Sequence, residues 1–156
     1  MYKRQGFLTA PTRVPARVGG PALDRALDGL AATRARPGAP PRPRTTVLAH
    51  SYGTVVAGEA VRAPGRIAAD ALVLLGSPGV PGGEADDLEA GEVYGAWTPD
   101  DPVSWLQWFG DTPMDPSFGD VPLPTSAGQG HGHYYDPDQP TLAAIGEVVA
   151  GTPGVR

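Results

Sequence analysis

Five consecutive apolar residues, Ala71 to Leu75, stand between Asp70 and the turn-forming run Gly76-Ser77-Pro78-Gly79. A run so short and so uniformly apolar reads as a strand buried on both faces, and sheets covered on both faces are parallel ones with helical crossovers. The flanking segments fit that frame. Upstream, Thr45-Thr46-Val47-Leu48-Ala49-His50 is a second strand. It is followed by Ser51-Tyr52-Gly53 and a helix-compatible stretch to about Ala63, with Val56/Ala60 and Ala57/Val61 four residues apart. Downstream, Glu92 to Trp97 reads as a third strand, and Val121 and Leu123 alternate with Pro122 and Pro124, which confines any strand there to an edge. Leu23, Leu27 and Leu30 form one face of a helix over residues 20–33, with Pro21 near its start. Leu142, Ile145 and Val149 do the same over 141–150, with Pro140 in the opening turn and Gly151 as the stop. The alternation predicts an α/β fold with a mostly parallel sheet flanked by helices.

At 156 residues the chain has room for one domain. Gly and Pro together make up 41 residues, so much of it must be loop. Cysteine is absent, which excludes disulfides, Cys-ligated metal and a thiol nucleophile. No apolar run approaches the roughly 20 residues of a membrane span. The net charge of −5 hides an asymmetry: residues 1–44 carry nine Lys/Arg against two acids, and residues 45–156 carry three Arg against fifteen. The basic residues are interleaved with Pro and Gly rather than aromatics, and residues 34–44 contain four prolines. The head is therefore read as a solvated linker and not as a nucleic-acid arm.

Met1-Tyr2-Lys3-Arg4-Gln5 matches the peptide encoded by a transposon adapter end, and Lys3 is the sole lysine beside eleven arginines. Residues 1–5 are expected to be a sequencing-adapter scar, 6–19 an irregular segment, and 20–156 a partial domain whose gene was cut on its N-terminal side. On that reading the lack of a signal peptide says nothing about localisation.

Four of the five serines begin Ser-x-Gly, so only context separates them. Ser51 alone lies between a convincing strand and a convincing helix, the setting of a nucleophile elbow. Small residues are expected two positions to either side, here Ala49 and Gly53, so that strand and helix can approach. The elbow holds the Ser51 hydroxyl clear of the sheet and aims the Tyr52 backbone N–H at a developing oxyanion. A serine needs an imidazole to take its proton and a carboxylate to orient that imidazole. His50 adjoins Ser51 and points to the other face, which leaves it packing beside the elbow. His131 and His133 precede the last helix, and Asp100 and Asp101 follow the third strand, in the chain order Ser, Asp, His. Against this stands a plainer reading in which Asp-Asp-Pro is a turn and His-Gly-His a solvated loop. A third reading makes His131, His133 and Asp136 metal ligands, but no further His–acid cluster completes a shell. Trp105, Leu106, Trp108 and Phe109 are expected to pack in or over the core, with a short helix walling an acyl or alcohol pocket as the alternative.

In ordered blocks the chain resembles a family of bacterial α/β-hydrolases from high-GC genomes, long known only as a domain of unknown function. The blocks are Thr-Thr-Val-Leu-Ala-His-Ser-Tyr-Gly-Thr at 45–54, Gly-Ser-Pro-Gly-Val at 76–80, Asp-Asp-Pro-Val at 100–103, Asp-Pro-Ser-Phe-Gly at 115–119 and His-Gly-His-Tyr-Tyr-Asp-Pro at 131–137. The resemblance implies Ser51 as nucleophile, His131 as base and Asp101 as the orienting acid, with His133 and Asp100 as alternates. It implies a small-molecule acyl substrate and no cofactor. It also implies that the early strands, and the loop giving a second oxyanion donor, lie ahead of this block. The competing class is a non-catalytic fragment or interaction module that keeps the elbow as a folding feature.

Overall fold

The computed structural model describes residues 12–38 and 42–152, so the expected adapter residues 1–5 lie outside the described part. Among these residues three α-helices, α1 (Val14–Arg34), α2 (Tyr52–Ala60) and α3 (Pro140–Ala150), surround four strands, β1 (Thr46–His50), β2 (Ala71–Leu75), β3 (Glu92–Ala96) and β4 (Val121–Pro122). The sheet order is β1-β2-β3-β4 and every pairing is parallel. All five residues of β2 are buried, as a strand between two covered faces must be. One face carries Ala49, Leu72 and Leu74 against Ala57, Leu88 and Phe118; the other carries Val73, Leu75 and Ala96 against Ala144, Ile145 and Val148. β4 is a two-residue edge strand, which its proline tolerates because that side pairs with nothing further.

Register decides where the site lies. His50 pairs with Leu75, and Leu75 with Ala96, so three strands end level. Ser51, Gly76 and the loop leading to Asp101 therefore leave the sheet side by side, at its C-terminal edge.

Three local expectations need correction. The first helix begins at Val14, not Gly20, so residues 14–19 are not irregular; Pro15 sits in its opening turn and Pro21 lies inside it. Docking fixes this start: the Tyr52 hydroxyl donates to Thr12 O at 2.7 Å and accepts from Ala16 N at 3.1 Å, and Ala16 packs with Val55 and Phe109. Leu27 is buried on that helix while Leu30 is exposed. In α3 the covered residues are Thr141, Ala144, Ile145 and Val148, and Val149 faces out, because the helix contacts the sheet one position away from its most apolar stripe. Finally, a Cβ built on Gly53 meets nothing within 4 Å, whereas one on Gly20 comes 2.6 Å from the Glu59 backbone carbon. The close approach that excludes a side chain is between α1 and α2, not at the elbow.

Asp120 lies against Gly95 of β3, where even a methyl would come 2.1 Å from its Oδ2. Burial pushes its pKa up to about 6, against which a hydrogen bond from its own backbone N–H acts only weakly. A carboxyl raised in the fold above its unfolded value contributes full stability below about pH 4 and loses it as pH rises through 6. Asp120→Asn is therefore expected to match the parent near pH 3.5 and to exceed it at pH 7.5, by on the order of 1 kcal/mol after solvent screening. Urea melts at the two pH values measure this, and an equal difference at both would refute it.

Candidate active site

Ser51 joins β1 to α2 with φ 57° and ψ −128°, a backbone conformation that non-glycine residues avoid at a cost of about 1–3 kcal/mol. Neighbouring bonds hold it there. Its N–H donates to Leu75 O at 2.9 Å, and its carbonyl accepts from Thr54 N at 3.0 Å and Thr54 Oγ1 at 2.8 Å. Thr54 Oγ1 is also 2.8 Å from Ser77 Oγ, which accepts from Gly79 N at 3.2 Å. Thr54 and Ser77 are both buried, so a hydroxyl pair ties the ends of β1 and β2 together beneath the turn. Tyr52 is the first residue of α2, and the first N–H groups of a helix have no intrahelical acceptor.

His131 Nε2 lies 2.8 Å from Ser51 Oγ. On its other side Nδ1–H donates to Asp101, with both carboxylate oxygens at 2.9 Å. That bond fixes the tautomer: with the proton on Nδ1, Nε2 is the acceptor and faces the serine hydroxyl. Asp101 is fully buried and accepts three further bonds, from Val103 N at 2.9 Å, Ser104 Oγ at 3.1 Å and Tyr134 OH at 2.7 Å. Burial alone would raise its pKa, yet the bonds from His131, Tyr134 and Val103, with the charge of His131, outweigh it and hold the carboxyl below its usual range. The carboxylate stays ionised at neutral pH. Tyr134, wholly buried, is pushed the other way, first by burial and then by its bond to Asp101, and so remains a donor.

His50 packs where its position beside the elbow implied. Its ring centroid is 4.6 Å from that of His131, and its Nε2–H donates to the His131 carbonyl at 2.7 Å.

The alternates go elsewhere. Asp100 is exposed and accepts from Gly128 N at 2.7 Å, stapling one loop to another. His133 is exposed and paired with Asp136 at 2.7 Å. The two imidazoles of His-Gly-His thus face separate partners, and no group of three or more potential ligands forms a metal cluster among the described residues.

Sequence reasoning passed over Gly76, Thr54, Ser77, Ser104 and Tyr134. Ser77 carried one signal, a second Ser-x-Gly at the end of a second strand. Ser104 and Tyr134 carried none until the acid loop and the histidine loop met. The aromatic cluster also departs from expectation: residues 102–105 form turns rather than a helix, Phe109 alone is core, and Trp105, Leu106 and Trp108 are exposed. The segment is too short and too tightly anchored at its ends to bury all four. A concavity of about 700 Å³ lies at the opposite end of the strands, lined by residues such as Arg44, Glu92 and Val121, and none of its lining residues belongs to the Ser51 site.

The sequence pattern of the alpha/beta hydrolase family matches residues 5–110, which includes the elbow, β2, β3 and Asp101. This chain belongs to the alpha/beta hydrolase family. The family's parallel sheet is the sheet seen here. Two curated relatives, an uncharacterized protein of Mycobacterium tuberculosis in the CDC 1551 / Oshkosh strain and its counterpart in H37Rv, are each 38% identical over 98 residues. That stretch is 61% of this chain and 14% of each relative. No solved structure matches.

Proposed function

We propose that this α/β-hydrolase is a serine hydrolase that cleaves an ester, thioester or amide of a small-molecule acyl substrate through an acyl-enzyme on Ser51. The observation that carries this is the unbroken line Asp101, His131, Ser51, with His131 Nε2 2.8 Å from the hydroxyl and Nδ1 2.9 Å from the carboxylate. As Ser51 Oγ attacks the carbonyl carbon, His131 Nε2 takes its proton, and the ionised Asp101 stabilises the imidazolium that forms. The negative charge moves to the carbonyl oxygen, where the Tyr52 N–H donates to it at the positive end of α2. Collapse breaks the bond to the leaving group, which departs with the proton from Nε2. Water then repeats the sequence and frees the acid. His50 supports the reading, because it pins the carbonyl of the base and covers one side of its ring.

The test is covalent labelling. A fluorophosphonate probe should modify Ser51 and none of the other four serines, as located by peptide mass spectrometry, and heat-unfolded protein should not react. Labelling spread over several serines, or absent from Ser51, would count against the reading.

A further inference from the structure

Asp101 is fully buried, and its carboxylate is saturated from within the protein. Oδ1 accepts from Val103 N at 2.9 Å, Oδ2 accepts from Ser104 Oγ at 3.1 Å and from Tyr134 OH at 2.7 Å, and His131 Nδ1 lies 2.9 Å from both oxygens. A carboxylate offers about four lone-pair sites, so these four donors leave none over. The shortest bond comes from Tyr134, which lies on the histidine loop and takes part in no step of the reaction proposed above. Its ring is wholly buried in the apolar cluster of Val73, Leu75, Ala144, Ile145 and Val148. Burial, and then the bond to Asp101, push its hydroxyl far above the ordinary tyrosine range, so it stays a donor.

A hydroxyl that donates to a carboxylate takes up part of its charge, and what it takes up is withheld from the imidazole on the other side. We propose that Tyr134 is a positioning residue that limits how strongly Asp101 holds a proton on His131, so that the imidazole rests as a free base at neutral pH and can accept the Ser51 proton. The proposal rests on the reading of Ser51 as nucleophile and His131 as its base. With fewer donors the buried carboxylate would bind the imidazolium more tightly, and a base that already carries its proton cannot act. Few other groups bear on this balance. Among the described residues, His50 at the end of β1 stacks on the His131 ring at 4.6 Å, and Tyr135 stands edge-on to His50 at 6.1 Å. β2 brings Gly76 to the imidazole, and α3 brings only the apolar Ala144, Ile145 and Val148 to the Tyr134 cluster.

Tyr134→Phe removes the hydroxyl and keeps the ring, with its packing and its 5.8 Å contact to His50. Two profiles are measured on the whole chain: kcat/KM for an activated ester against pH, and the titration of the His131 ring by NMR in Ser51→Ala with and without Tyr134→Phe. The acid limb of kcat/KM should move to higher pH by about one unit. On that limb the variant should lose about tenfold, and it should regain most of the loss as pH rises. The ring titration should move in the same direction by the same amount. A fluorine placed beside the Tyr134 hydroxyl makes it a stronger donor of nearly the same shape, and should move the limb to lower pH; this arm decides if the Phe variant does not fold. A loss by the same factor at every pH overturns the proposal and leaves Tyr134 a packing residue. An unmoved limb, or one that moves the opposite way in either variant, overturns it too. If the chain hydrolyses no ester and Ser51 takes no fluorophosphonate, the hydrolase reading fails by itself, and the ring titration then decides: a midpoint raised by loss of the hydroxyl upholds the control of His131 by Tyr134, and an unchanged one overturns it.

Discussion

Ser51→Ala is expected to reduce hydrolysis of activated esters by on the order of 10⁶-fold and to leave the fold intact, since among the described residues the side chain bonds to His131 alone. Asp101→Asn should cost about 10⁴-fold, because a buried amide cannot stabilise the imidazolium and leaves the His131 tautomer wrong. Its stability should also fall as four donors lose their charged acceptor. The informative measurement is the double variant. Groups that act as one unit are not additive, so Ser51→Ala/Asp101→Asn should be no slower than Ser51→Ala alone in kcat/KM. A multiplicative loss would mean that Asp101 serves stability and not the same proton transfer.

Gly76→Ala is the second large effect, and it touches no reacting atom. Gly76 follows β2 with φ +55°, and a Cβ there would lie 2.6 Å from Asp101 Oδ2, 2.9 Å from Tyr134 Cε2 and 3.0 Å from His131 Nδ1. The carboxylate, the imidazole and the phenol cannot all keep their bonds around a methyl group, and displacement of the base by about 1 Å costs roughly 100-fold in turnover. The loss should appear in kcat with KM nearly unchanged, together with a destabilisation of about 1–3 kcal/mol from overpacking and backbone strain. Gly53→Ala is the control: its methyl has open space, and alanine favours the helix, so stability should hold or rise by up to about 1 kcal/mol. Equal activity in the two variants would mean that the base does not depend on the floor beneath it.

These contrasts mark what could be read from the chain alone. Strand and helix identities were legible because burial imposes a period: Ala71 to Leu75 has no polar residue to offer solvent, so it had to be central, and the prolines around Val121 had to be at an edge. The elbow was legible too, because a serine between a β-branched run and a helical run is a local pattern. Helix limits and faces were less so. Val14 to Gly19 has no strong helical signal of its own, and it is ordered by Tyr52, Val55 and Phe109 from elsewhere in the chain.

The choice between His131 and His133, and between Asp100 and Asp101, was decided by no local property, since each pair is two residues or one residue apart in the same loop chemistry. The resemblance to a family preferred one of each, but the physical reason lies in tertiary structure. His50, Leu75 and Ala96 stand level across the sheet, so the loops beyond them converge on one point, and only Asp101 and His131 enter it. The same convergence gives Gly76 its necessity and Tyr134 its acceptor. The sequence by itself determined a parallel α/β sheet with a serine at the turn after its first strand, because hydrophobic periodicity and turn chemistry act over a few residues. Which partners that serine meets depended on strand register and loop packing, which act between residues some 80 positions apart.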